Sequence, residues 1–188
     1  ELYLVPLIRP IINEFSKISK NDAPAIRLRA NLAKILCVAS DRLEPNRSKN
    51  STSEFIKVNL AQPSWLHLMK ALEDIGPTSQ FVVSYDSIAR ALAEFAPHIA
   101  PEQVNDSMRI LLKFARAIPL ENCKTHEVAS FFNNLSRISI HSDKAYETAA
   151  IIMGILKTLG RTDNYAKDLH AISLQKILGT SLKDEEKN

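Results

Sequence analysis

Glu14-Phe15-Ser16-Lys17-Ile18 returns 40 residues later as Glu54-Phe55-Ile56-Lys57-Val58. It returns twice more at the same interval, as Glu94-Phe95-Ala96-Pro97-His98-Ile99 and as Asn134-Leu135-Ser136-Arg137-Ile138. A fifth, degraded copy is expected at Leu174-Gln175-Lys176-Ile177. A fixed period in this range is what stacked helix pairs leave in a sequence, because each unit repeats one supersecondary element against the next.

The residues after each copy keep the same register. Leu28, Leu68 and Met108 share one column, with Thr148 as its odd member. Leu32, Leu72, Leu112 and Ile152 form a second, and Ile35, Ile75, Ala115 and Ile155 a third. Within one repeat the columns stand at i, i+4 and i+7, which is one face of a helix. Residues 11–36 compared with 131–156 add identical pairs at Asn13/Asn133, Ser16/Ser136, Ile18/Ile138 and Ala30/Ala150. The expected fold is therefore all-α: an α-solenoid of about four to five stacked helix-pair repeats of the HEAT/armadillo kind.

Helix boundaries follow from caps and prolines. A first helix is expected from Leu2 to Ile18 and a second from Asn21-Asp22-Ala23-Pro24 to about Arg42. Residues 43–53 are polar and aperiodic and read as an exposed, mobile loop. A short helix follows at Glu54–Asn59. Pro63 opens another, which Gly76-Pro77 stops. Tyr85–Pro97 pairs with Pro101–Ile118, and Thr125–Ile138 with a helix capped by Ser142 and running to Leu159. Asp163–Leu178 is the last. Residues 1–180 are expected to form one repeat domain, and 181–188 a disordered charged tail. The chain begins at Glu1 rather than Met and is expected to be a fragment of a longer array.

Composition narrows the class. With 45% apolar residues among 188, the chain is ordinary for a folded domain. Four glycines and 6% aromatics argue against tight-turned β architecture. Cys37 and Cys123 do not make a disulfide framework. No apolar run reaches the length of a membrane span, so a soluble chain is expected. Net charge is only +3, with residues 1–60 carrying 10 Lys/Arg against 6 Asp/Glu. That excess is too small to be a nucleic-acid footprint by itself.

Asn13-Glu14-Phe15-Ser16-Lys17-Ile18 and Asn133-Asn134-Leu135-Ser136-Arg137-Ile138 resemble the Asn-x-Leu-Ser-Lys-Trp-Pro core of SKWP repeats. Those are helical repeats of large effectors that plant-pathogenic bacteria inject into host cells. The Ala-rich Ala145-Tyr146-Glu147-Thr148-Ala149-Ala150 is similar too. No repeat here has Trp in the motif, and Pro97 sits one place early. The resemblance implies a type III effector with a role in virulence, a host-protein partner and secretion into the host cell; apart from it a cytoplasmic location is expected. An Asn-x-Leu-x-x-Ile core also resembles the helical repeats of organellar RNA-binding proteins.

Nothing in the chain asks for catalysis, and no catalytic, metal or cofactor residues are expected. His67, His98, His126, His141 and His170 are scattered, without zincin spacing. Cys123-x-x-His126 is half of a metal motif and lacks a second close pair. The four glycines are dispersed and form no phosphate loop. Glu73-Asp74 point apart on a helix and read as solvated acids. Trp65, Tyr85 and Tyr146, near helix starts, read as packing residues. The second helices of a solenoid usually line its inner curve. Their exposed basic positions are the candidate partner contacts: Arg29, Lys70, Arg109 and Lys113. The expected partner is another protein, acidic along the contact. RNA binding is the alternative. A modular RNA reader would repeat polar residues at fixed positions, whereas the Arg29 column continues Met69, Arg109, Ala149.

Overall fold

The computed structural model describes residues 61–77, 82–160 and 164–185, with isolated helical positions at Pro10, Asn13, Glu14, Lys17, Leu28, Asn31 and Ile35. The expected 43–53 loop, the Asn21–Pro24 helix start, the Glu54–Asn59 helix and Arg29 lie outside the described residues. Among the described residues all regular structure is helical, with no strand. No described helix is long and apolar enough to cross a membrane. The chain divides into two compact units, one of Glu1–Gly76 with Val83–Ala100 and one of Pro77–Val82 with Pro101–Asn188.

In the first unit, α1 spans Gln62–Ile75, with Pro63 in its first turn, where the missing N–H costs nothing. Trp65, Leu68, Leu72 and Ile75 fall on one face and are buried. Gly76 ends it at φ 73°, a left-handed conformation that favours glycine, and its N–H bonds to the Leu72 and Glu73 carbonyls. Helix α2 spans Val82–Phe95. Its Tyr85 is buried, and the hydroxyl donates to the Gly76 carbonyl, tying α2 to the end of α1. Ala96–His98 continue as a single 3-10 turn. Pro97 has no N–H to carry the α-helical ladder on, so the helix stops two residues short of the expected end.

In the second unit, α3 is Pro101–Ala117, α4 is His126–Ser139, α5 is Ala145–Thr158 and α6 is Asn164–Glu185. A 3-10 turn at Leu120–Lys124 leads into α4. Thr125 is the N-cap of α4, its Oγ1 accepting from the Val128 N–H at 3.4 Å. Helix α4 is the hub, packed on α3, α5, α6 and the 3-10 turn, with α5 also against α6. It buries Val128, Phe131, Phe132, Leu135 and Ile138. Its buried Ser136 and Ser139 donate to the carbonyls three residues back, at 2.7 and 2.9 Å, so neither hydroxyl is stranded.

The start of α5 differs from expectation. Ser142 does not cap it; the helix begins three residues later, behind Lys144. The Ser142 hydroxyl donates to the Ser139 carbonyl and accepts from the Lys144 N–H. It serves the tight turn leaving α4, whose backbone bonds already overlap there.

The expected column positions are buried in α1, α3 and α5. Leu68, Met108 and Thr148 are buried, as are Leu72, Leu112 and Ile152, and Ile75, Ala115 and Ile155. Thr148, the polar member, is satisfied by donating to the Lys144 carbonyl at 2.9 Å. The same interval relates α2 to α4, where Ile88/Val128, Leu92/Phe132 and Phe95/Leu135 are all buried. The first copy departs from this pattern. Leu28 and Ile35 are exposed, and Asn31 between them is exposed too, so one i, i+3, i+7 face points outward there.

Helix α6 departs further. It runs on to Glu185 rather than ending near Leu178, and so takes in residues 181–185, the start of the segment expected as a disordered tail. Gly179 is accommodated inside the helix, and no proline stops it. Its buried positions are Ala166, His170, Ser173 and Ile177, while Tyr165, Ile172 and Leu178 are exposed. Each buried position matches one of α4 (Val128, Phe132, Leu135, Ser139) at an interval of 38, as 166 stands to 128. Of the expected fifth motif copy only Ile177 is buried, with Gln175 and Lys176 exposed.

Candidate partner-binding surface

The exposed positions of α3 follow a helical stripe: Glu102, Asp106, Arg109, Lys113 and Arg116. Acids stand at its start and cations at its end, the arrangement the helix dipole favours. Of the four expected contacts, Arg109 and Lys113 lie one turn apart on this stripe. Lys70 is exposed on α1 in the other unit, and Arg29 is outside the described residues. The register of Arg109 does not continue as an exposed column, because Met69 on α1 and Ala149 on α5 occupy it and both are buried.

Ion pairs decide which cations are committed. Arg109 reaches Asp106 at 3.1 Å across one turn, both side chains well exposed. Arg116 pairs with Glu147 at the start of α5. The Asp143 N–H donates to Asn105 Oδ1 at 2.8 Å, so the N-terminal end of α5 is fastened to α3 at two points. Lys113 and Lys157 have no ion-pair partner among the described residues. On α1, partial burial and the nearby Lys70 charge hold the His67 imidazole below its ordinary value.

Two residues that pattern reasoning did not place at a surface are exposed on α5. Tyr146 is 65% exposed and Met153 45% exposed. With Ala150 and Lys157 they form an i, i+4, i+7, i+11 stripe on the outer side of α5, away from the buried Thr148, Ile152 and Ile155. Trp65 and Tyr85, which the sequence groups with Tyr146, are indeed core residues. A signal was present: Tyr146 falls two residues before the core column, on the side where α3 carries Asp106.

The histidine and cysteine positions do not converge. Among the described residues no group of three His, Cys, Asp or Glu could hold a metal. Cys123 is buried, its thiol directed at the Pro119 carbonyl at 3.7 Å. His126 is exposed and stacks on Tyr165 with ring centroids 5.2 Å apart. Burial first, and the Glu121 charge second, push the Cys123 thiol up to about 11, so it stays a protonated and poor nucleophile at neutral pH.

Compared with protein-family models, curated proteins and solved structures, the chain matches none.

Proposed function

We propose that this chain is a segment of a HEAT/armadillo-like α-solenoid and acts as a non-enzymatic scaffold that binds another protein along its second helices. One observation carries the reading: three core columns spaced 40 residues apart are buried in α1, α3 and α5. A unit of two helices buries little alone, so columns recurring at this interval support a reading in which helix pairs stack on one another. Stacking leaves the remaining faces of the second helices open, and here they carry Lys70, Arg109, Lys113 and Arg116. The similarity to SKWP repeats extends the proposal to a host protein as partner and to a secreted effector as the parent molecule.

Binding measured on the full chain tests it. Changing Arg29 and Arg109 together to Glu should weaken partner binding while circular dichroism stays unchanged. Salt separates the partner classes. Phosphate contacts release counterions, so affinity for RNA falls steeply and log-linearly with salt concentration. A protein interface with an apolar centre loses much less. A steep salt slope with an RNA oligomer, and no protein bound, would replace the scaffold reading with the RNA-binding one.

A further inference from the structure

We infer that His170 is an acid-released latch: mild acidification frees α6 from α4 and the 3-10 turn, while α3, α4 and α5 stay packed together. The inference stands on how α6 is held and is independent of the scaffold reading.

The side that α6 buries is Ala166, His170, Ser173 and Ile177, so Ile177 is its one large aliphatic anchor. Ser173 donates to the Leu169 carbonyl of its own helix at 2.7 Å. The imidazole is what reaches outward. Its Nε2 meets the Cys123 carbonyl of the turn at 3.1 Å, and its ring lies edge-on to Phe132 of α4 at 5.6 Å. A second bond to α4, from Lys176 to Asn133 at 3.0 Å, is exposed to competing water and adds little. Helix α4 is held differently. It buries Phe131, Phe132, Leu135 and Ile138 and packs on α3 and α5 as well as on α6. Its place does not depend on a bond that a proton can break.

A carbonyl only accepts, so the neutral ring keeps its proton on Nε2, and a second proton must enter at Nδ1. That atom is buried without a hydrogen-bond partner. An imidazolium there is a buried charge with an unmet donor, and it is relieved only by reaching water. The charged groups of the packed elements do not relieve it. Glu121 and Lys124 of the turn, His126 and Glu127 of α4, and Lys157 of α5 are exposed. Arg137 of α4 bonds to Asn134, and Glu147 of α5 pairs with Arg116. On α6 itself Asp168 is exposed and Lys167 is half-buried. What acts on the ring is burial first and the Cys123 carbonyl second.

Burial holds the docked ring neutral below its ordinary value of 6.5, whereas a released α6 takes the proton there. Release is therefore disfavoured above pH 6.5 and gains as the pH falls below it. It uncovers Phe132 and the turn around Cys123, which are buried while α6 is docked. A weakly anchored terminal helix is the kind of unit that opens before the rest of a fold.

Hydrogen exchange of the full chain, corrected for its intrinsic pH dependence, tests the latch at pH 7.5 and 5.5. Protection of α6 amides in wild type should fall about fivefold to tenfold. One histidine of ordinary pKa in the released state can give no more than about tenfold over this range. Protection of α4 and α5 should change by about twofold or less. His170→Gln keeps a donor for the Cys123 carbonyl and cannot titrate, so its α6 protection should be the same at both pH values. His67→Gln should behave as wild type. The imidazole carbon shifts of wild type, followed by NMR, give a readout that needs no variant: proton uptake at His170 should coincide with the loss of α6 protection. An equal fall in His170→Gln overturns the latch, as does no fall in wild type. Loss of α4, α5 and α6 protection together also overturns it, since the ring then reports unfolding of the whole unit. Proton uptake by His170 while α6 stays protected overturns it as well.

Discussion

The Nε2 of His170, on α6, donates to the backbone carbonyl of Cys123 at 3.1 Å, and its Nδ1 is buried with no hydrogen-bond partner. The ring also meets Phe132 of α4 edge-on at 5.6 Å. One neutral imidazole thus joins α6, α4 and the 3-10 turn. Because the carbonyl can only accept, the proton sits on Nε2, and a second proton would have to enter at the buried Nδ1.

Burial therefore holds His170 below its ordinary value of 6.5, outweighing the carbonyl bond that favours the charged form. The unfolded chain takes up this proton near pH 6.5, whereas the folded chain resists it. Stability is then complete above about pH 6.5 and falls as the pH drops below it, because the unfolded state binds more protons. Urea midpoints measured from pH 7.5 to 5 should decline in wild type. His67 acts in the same direction, so the decisive comparison is the shallower decline expected for His170→Gln. An equal decline in both proteins would show that His170 does not couple folding to pH.

Cys123 should be inert in the folded protein. Its thiol is buried and shifted up to about 11, so almost no thiolate is present at pH 7. In a Cys37→Ser background, an aromatic disulfide reagent should release thiolate product only as fast as the chain opens. In urea above the unfolding midpoint the reaction should be complete and rapid. Rapid reaction in native buffer would place the 3-10 turn in an open conformation.

The column residues should carry the stability. Leu72→Ala and Leu112→Ala each remove a fully buried side chain and should cost about 2–5 kcal/mol. Arg109→Ala removes an exposed i, i+3 pair with Asp106 and should cost about 0.5 kcal/mol or less. Denaturant unfolding checks both, and similar losses at Leu112 and Arg109 would show the register to be wrong.

How far the sequence could be read depended on what filled the columns. Leu68, Leu72 and Ile75, and Met108, Leu112 and Ala115, at i, i+4, i+7 mark the core of α1 and α3, although the same spacing at Leu28 and Ile35 falls on exposed positions. Thr148 looked like an exception, but its hydroxyl has a local acceptor, so a polar residue sits in the core at little cost. The 40-residue register does not find the buried side of α6, because apart from Ile177 that side is Ala166, His170 and Ser173, a small residue and two polar ones bonded to backbone carbonyls. Its larger apolar residues, Tyr165, Ile172 and Leu178, lie outside and misdirect any hydropathy pattern. The basic members of the candidate surface, Arg109 and Lys113, could be picked out, since charged residues opposite a core column face water. Tyr146 could not, because an aromatic near a helix start is equally at home in a core, as Trp65 and Tyr85 are.

Helix α6 supplies the sharpest test of that reversed pattern. Ile177 is fully buried, and Ile172, on the same helix, is exposed. Hydropathy alone treats the two as equals. Ile177→Ala should cost about 2–5 kcal/mol by removing packed methyl groups from the core. Ile172→Ala should change stability by about 0.5 kcal/mol or less, since no core contact is lost. Double-jump urea denaturation of the two variants against wild type gives the comparison directly. A large loss at Ile172 with little at Ile177 would rotate α6 about its axis and return it to the 40-residue register. In that event the His170 bond to Cys123 would also be lost, and the pH dependence argued above would disappear with it.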